Sequence, residues 1–338
     1  MSDEAIVMPD KFLDSFVTGF YMDLADIFIN IFPKAKIMRS SEFKKNTEHK
    51  KIVIFSISHW PPEHLQNLIE TNRKTKIVVW HDDMFWVNEK CKNLHHVLLE
   101  RANLIIHGSR DVYKMIWQKH LHKSFWIPLF PSDCFFLDLK TKPIYRCLLS
   151  GKTAPHHYPL RQLILESSHP YVDVFRHPGY NVHDKSCIGV NYAKKIQSYF
   201  CSVMDTGKSF ATFKYTIQST PRVFSKSIEE ILKSQNRTDI EKFKKLGQVL
   251  LKIFEIPASG SLLLCDLDTP EILDMGYQPG VNFVEISGNN FRDLITDCCE
   301  NPSSYEDIRK NGWILARSHT KEDRKKNVVN ILEANNLC

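Results

Sequence analysis

Short apolar runs alternate with longer mixed stretches along the whole chain, and the runs have the length of strands buried on both faces. In the first half the pattern predicts strands near Ala5–Met8, Lys36–Arg39, Ile52–Ile57, Lys76–Trp80, Asn103–His107 and Phe125–Pro128, with helices filling the gaps. In the second half it predicts strands near Arg146–Leu149, Val172–Arg176, Phe210–Phe213, Leu262–Cys265 and Phe283–Ile286. Strands separated by helical stretches predict α/β architecture with a mostly parallel, doubly wound sheet in each half. Ile240, Phe243, Leu246, Leu250, Ile253 and Phe254 recur at roughly helical spacing. They predict a helix that carries Lys252 and Glu255 into its last turn and ends at Pro257 and Gly260. The last stretch, Ser303 to Asn335, is charged and helical in pattern, while Gln218 to Arg237 is polar, weakly periodic and loop-like.

Periodicity fades between Phe130 and Pro143, where Pro131, Asp133, Asp138, Lys140 and Pro143 gather. This predicts a first domain over 1–130, a linker over 131–143, a second domain over 144–318 and a final helix over 319–338. A chain of 338 residues is long enough for two such cores.

Composition narrows the picture only a little. Lys and Arg total 45 against 39 Asp and Glu, a net +6 with the basic residues dispersed, which argues against a nucleic-acid partner and is compatible with a positive cleft for a diphosphate. The cysteines number nine and include no C-x-x-C pair, so buried thiols in a reducing, cytoplasmic setting are expected rather than disulfides or a zinc site. The apolar stretch Phe12 to Phe32 carries Asp14, Asp23 and Asp26, so an amphipathic helix is expected there and neither a signal peptide nor a membrane span.

Candidate chemistry sits where strands end. Ser150-Gly151-Lys152 follows a strand and precedes a helix with Tyr158 and Arg161: Gly151 lets the backbone approach a ligand, and Lys152 and Arg161 offer cations to a leaving diphosphate. His177 and Tyr180, in His177-Pro178-Gly179-Tyr180, lie past the next strand and suit a nucleobase or sugar, with Lys214 a further candidate. In the run Lys252 to Asp266, Glu255 can accept two ribose hydroxyls, and the turn Ser259-Gly260-Ser261 can offer peptide N–H groups to a diphosphate. A capped helix packing on a core strand is the bland reading of the same run. On the first half, His59, His81, Asp82 and Asp83 end strands and suit acceptor hydroxyls, or a general base in the case of Asp82. Asp82-Asp83 has no third ligand nearby in sequence, so no metal site is expected.

The segment Lys252 to Asp266, with Pro279-Gly280, Ile308-Arg309, Gly312, His319-Thr320 and Arg324, resembles the C-terminal half of the glycosyl transferase group 1 superfamily, in its spore-maturation-protein-like branch. Leu148 to Lys152 with Tyr158-Pro159-Leu160-Arg161, and His177 to Tyr180, are similar to the same branch from about Arg146 onward; Trp80-His81-Asp82-Asp83 is the main support before that. The resemblance implies a GT-B fold, two Rossmann-like domains facing a cleft, and a final helix crossing back to the first domain. It implies transfer of a sugar from a UDP- or GDP-linked donor to a glycan or other hydroxyl, retaining and with neither metal nor cofactor. The donor would meet Gly151, Lys152, Arg161, His177, Tyr180, Lys214, Lys252, Glu255, Ser259, Gly260 and Ser261. Lys152 and Arg161 would serve the leaving group, and the acceptor would meet His59, His81, Asp82 and Asp83. Glu255 resembles the second glutamate of the family's E-x7-E signature; the first falls at Gly247. A nucleotide-sugar hydrolase or epimerase and an inactive sugar-nucleotide-binding subunit are the rival readings.

Overall fold

The structure is a computed structural model and describes residues 3–10, 18–44, 49–55, 60–81, 89–140, 142–151, 158–175, 189–208, 247–267 and 269–338. The chain divides into two compact units, one of residues 1–128 with 321–338, the other of residues 129–320.

The first unit is built on a six-stranded sheet: β1 (Glu4–Met8), β2 (Lys36–Arg39), β3 (Lys51–Phe55), β4 (Lys76–His81), β5 (Leu104–His107) and β6 (Ser124–Trp126), in the order β2-β1-β3-β4-β5-β6. Every neighbouring pair is parallel. The inner strands are near-continuous runs such as KIVVWH because helices cover both faces, so no polar alternation is required. The helix Lys321–Ala334 belongs to this unit; it buries Val328 and Leu332, and its Lys321 lies 3.4 Å from Asp23 of the helix Thr18–Ile31.

The second unit carries β7 (Ile144–Ser150), β8 (Val172–Phe175), β9 (Tyr199–Met204), β12 (Leu262–Cys265) and β13 (Val284–Glu285), ordered β13-β12-β9-β7-β8 and all parallel. A two-residue antiparallel pair, β10 (Gly207–Lys208) with β11 (Gly247–Gln248), stands apart. In each sheet the second strand lies on one side of the first and the third on the other, so the winding reverses between β1 and β3 and between β7 and β9. Open α/β sheets bind ligands outside the carboxyl ends of their strands at such a reversal.

Several sequence expectations change. The central strand of the second sheet, Tyr199–Met204, was not among the predicted strands, and Phe210–Phe213 and Gln218–Arg237 lie outside the described residues. Of the helix expected from Ile240, residues 240–246 lie outside the described residues; Gly247-Gln248 pairs as β11 and the described helix starts at Lys252. Lys252 therefore opens the helix Lys252–Ala258 and Glu255 sits in its first turn. Pro257 lies inside this helix instead of ending it. Proline has no N–H for the carbonyl four residues back, and here that carbonyl, of Ile253, accepts the Tyr277 hydroxyl at 2.8 Å. Residues 129–140, mostly within the expected linker, are bound into the second unit: Leu137 donates to Ala258 O (3.2 Å) and its carbonyl accepts Trp313 Nε1 (2.8 Å) and Arg317 Nη2 (2.9 Å).

Candidate active site

The carboxyl edge of the second sheet collects polar side chains at the β7/β9 reversal. β7 ends in Ser150 and turns at Gly151, whose φ of +103° is one that L side chains rarely adopt. A Cβ added there would lie 3.2 Å from Arg161 Nη1 and from Lys252 Cε, and 3.7 Å from Lys252 Nζ. Glycine is thus required both by the backbone and by two cationic side chains that crowd one point.

Each cation has its own support. Arg161 sits in the first turn of the helix Pro159–Glu166, 2% exposed, with its guanidinium 4.2 Å above the Tyr158 ring. Its peptide N–H donates to Asp205 Oδ2 at 3.1 Å, so a carboxylate from the end of β9 caps this helix and meets the positive end of its dipole. Lys252 reaches back along its own helix to the end of β7. Its ammonium donates to Ser150 Oγ at 3.0 Å and to the Tyr192 hydroxyl, and lies 4.7 Å from the Tyr192 ring centroid. The third side of this triangle is the 2.8 Å bond between Tyr192 OH and Ser150 Oγ. Tyr192, on the helix Gly189–Gln197, is stacked against Phe175 at the end of β8 and meets Phe135 edge-on. Among the described residues no carboxylate lies within ion-pair distance of Lys252; its partners are two neutral hydroxyls.

Next along the edge, Thr206 donates its N–H and its hydroxyl to the two oxygens of Asp266, both at 2.9 Å, which ties the end of β9 to the end of β12. Glu255 stands one turn beyond Lys252. Its side chain keeps some accessible surface although protein crowds it closely, and this burial raises its carboxyl above the ordinary 4.5, opposed by the Lys252 charge. A partly exposed carboxyl beside a lysine suits hydroxyl-bearing ligands.

The turn Ser259-Gly260-Ser261 requires a correction. It precedes β12, so it lies at the amino edge of the sheet, away from the carboxyl edge where Ser150 and Asp205 stand. Its three N–H groups close the helix, Ser259 onto Glu255 O (3.0 Å), Gly260 onto Pro257 O (2.8 Å) and Ser261 onto Ile256 O (3.2 Å), and none is presented to a diphosphate. The Ser261 hydroxyl meets Ser202 Oγ at 2.9 Å and the Gly260 carbonyl accepts Arg309 Nε at 2.7 Å. The helix between the two corners explains the split: about 1.5 Å per residue carries it from one edge of the sheet towards the other, so Lys252 stands at the carboxyl edge and Ser259 does not.

The structure therefore brings together Gly151, Arg161 and Lys252, with Glu255 beside them. Lys152, His177, Tyr180, Lys214, His59, Asp82 and Asp83 lie outside the described residues. His81 ends β4 fully buried, its ring against Tyr113 and Trp117, and its two nitrogens have no hydrogen-bond partner among the described residues. Burial, reinforced by His95 and His107, drives its pKa well below 6.5, so it is a neutral ring in a core rather than a group displayed at an edge. Tyr192, Asp205 and Thr206 were missed from sequence. Asp205 and Thr206 follow the strand that was itself missed, and the only signal for Tyr192 is a phenol on the buried stripe of a helix, where its hydroxyl needs a partner. No group of three or more His, Cys, Asp or Glu among the described residues is arranged to hold a metal. Cys134, Cys147, Cys201, Cys265, Cys298, Cys299 and Cys338 are free thiols, and no helix among the described residues is long and apolar enough to cross a membrane.

No protein-family model and no curated protein matches the sequence. Solved structures do. HepE of Anabaena in complex with UDP-glucose is similar with a TM-score of 0.60 at 10% identity, over 98% of this chain and 99% of HepE. An alpha-glucosyltransferase in complex with UDP and a 13-mer DNA containing a HMU base gives 0.56 at 10% identity, over 98% of this chain and 99% of that one. TarM gives 0.53 at 10% identity, over 83% of this chain and 54% of TarM, so the chain spans about half the length of TarM. At such identities the likeness shows the fold: α/β, with the two parallel sheets of the GT-B glycosyltransferases.

Proposed function

We propose that the chain is a glycosyltransferase that moves a sugar from a UDP- or GDP-linked donor to a hydroxyl of a glycan or other acceptor. The carrying observation is the Lys252 ammonium, held by two neutral oxygens beside Arg161 at the β7/β9 reversal. Lys252 brings its charge to that edge with neutral oxygens as its partners, and a diphosphate at the carboxyl edge of the sheet is an anion of the right size and charge to meet it. As the bond from the anomeric carbon to the phosphate oxygen breaks, negative charge grows on the departing diphosphate, and cations already fixed there stabilise it without reorganising.

In the retaining course we favour, the acceptor oxygen attacks the face that the diphosphate leaves and the acceptor proton passes to the departing phosphate oxygen. Glu255 would hold the ribose hydroxyls. Positive charge supplied by side chains supports a metal-independent reaction, and the sequence resemblance supports the spore-maturation-protein-like branch. Lys152, His177, Tyr180 and Lys214 remain assigned to the donor, and His59, Asp82 and Asp83 to the acceptor, on sequence grounds alone.

A thermal-shift screen of UDP- and GDP-sugars, followed by mass spectrometry of products with glycans and, given the DNA held by one structural neighbour, duplex DNA as acceptors, tests this. The melting temperature should rise with one base and sugar, and a glycosylated acceptor should form in the presence of a chelator. Lys252→Met should weaken donor binding by about tenfold or more, since a hydrogen bond to a charged group contributes about 1.5–3 kcal/mol. Free sugar or an epimer as the sole product would replace transfer with hydrolysis or epimerisation, and binding without turnover would leave a sugar-nucleotide-binding subunit.

A further inference from the structure

We propose that Tyr192 is a positioning residue for the donor diphosphate: its hydroxyl, closed in a triangle with Ser150 Oγ and Lys252 Nζ, fixes the ammonium and leaves the cluster a pair of donors to offer. This rests on the reading of the Lys252 site as the diphosphate site. Proton accounting carries the argument. Lys252 brings three N–H donors and the two hydroxyls one each. Closing the three sides of the triangle uses three of these five protons, whichever hydroxyl donates to the other. Two protons remain, one on Lys252 and one on a hydroxyl, and among the described residues neither meets a further acceptor. A cluster built from one cation and two hydroxyls thus keeps a pair of donors to offer next to a positive charge, which is the complement of a phosphate edge.

Without the phenol the ammonium would keep a single protein acceptor and swing on its flexible stem. The ring is itself fixed, stacked on Phe175 with centroids 6.3 Å apart and edge-on to Phe135 at 6.0 Å, and only 9% of Tyr192 is exposed. Its oxygen is therefore a fixed point from which the ammonium is aimed at the Gly151 turn. The arrangement separates two contributions, because Tyr192→Phe keeps the ring and its contact with the cation but removes the oxygen.

Isothermal titration of wild type, Tyr192→Phe and Lys252→Met with UDP and uridine, and in parallel with GDP and guanosine, tests the assignment. For the base that the wild type prefers, Tyr192→Phe should weaken the diphosphate by about three- to tenfold and leave the nucleoside within about twofold. A phenol that merely supports the fold would weaken both ligands alike, and that result overturns the proposal. Unchanged diphosphate affinity in Tyr192→Phe, with a clear loss in Lys252→Met, overturns the role of Tyr192 and leaves the donor-site reading standing. Indifference of Lys252→Met, or a wild type that binds neither diphosphate, overturns the donor-site reading and the role of Tyr192 with it. Should Tyr192→Phe not fold, Ser150→Ala removes the other hydroxyl of the triangle and should show the same selective loss.

Discussion

The two sheets share one winding and differ in what stands at their carboxyl edges. In the first unit, β4 and β5 end in His81 and His107, and both rings are buried: His107 is stacked on Tyr113 with centroids 4.0 Å apart, and His81 meets Tyr113 and Trp117 edge-on. At the β1/β3 reversal Asp10 accepts the Ser40 hydroxyl (2.9 Å) and the Ser41 N–H (3.0 Å), and Ser40 Oγ also meets His64 Nδ1 at 3.0 Å. That carboxylate answers protein donors. In the second unit the reversal holds a lysine and an arginine crowded on one glycine, with hydroxyls rather than carboxylates beside the lysine. Topology supplies an edge in both units, and the side chains alone distinguish them: buried rings and a satisfied carboxylate in the first, two crowded cations in the second.

Acid should break the comparison most forcefully. Burial lowers His107 to about 3 and His120 to about 4 from 6.5, and His81 well below 6.5. Among the described residues, His95, His96, His122, Lys114 and Lys123 oppose a further positive charge, and Glu100 favours it at His120. A histidine whose folded pKa is depressed contributes full stability above 6.5. Below that the unfolded chain binds a proton that the folded one refuses, so stability falls as pH drops from 6.5 towards about 4. No such histidine set stands in the second unit among the described residues, so the first unit should unfold at the higher pH. Tryptophan fluorescence reads this directly, because among the described residues Trp60, Trp80, Trp117 and Trp126 lie in the first unit and Trp313 alone in the second. A single transition shared with a far-ultraviolet probe of the whole chain would remove the distinction.

A smaller effect sharpens the other side. Asp205→Ala removes the carboxylate that caps the helix of Arg161 and should cost about 1–2 kcal/mol in urea unfolding. It should weaken a bound diphosphate as well, since Arg161 is then less firmly placed; full affinity in a folded variant would detach the cap from the site. The smallest effect concerns the helix that delivers Lys252. Tyr277→Phe leaves the Ile253 carbonyl unanswered and should cost about 1 kcal/mol. In a Pro257→Ala background, where a backbone N–H returns, the same change should cost less. Equal costs in both backgrounds, measured as a double-mutant cycle, would show that the phenol does not stand in for the missing N–H.

The sequence made the fold legible because strands buried on both faces are unbroken apolar runs: β3, β4, β5 and β12 stand close to their predicted places. Tyr199–Met204 was lost because Cys201, Ser202 and a preceding lysine pair blur the run, although all six residues are buried. Gly151, Arg161, Lys252 and Glu255 are candidates by their places after or before a strand, and the structure brings them near one another. Their geometry was not legible, because it depends on which end of a helix faces which edge of the sheet. Reading the turn before β12 as a ligand turn inverted that direction and drew Ser259, Gly260 and Ser261 into the site. The partner of Lys252 was beyond sequence reading altogether, since Tyr192 lies 60 positions away on another helix.

The helix Lys252–Ala258 is fastened at both ends. Its first residue is tied to β7 and to the Gly189–Gln197 helix, and its last carbonyl is tied to Leu137, in the stretch through which the chain enters this unit. The same short element therefore joins the β7 turn at its head to the entry stretch at its foot, where Leu137 also anchors Trp313 and Arg317.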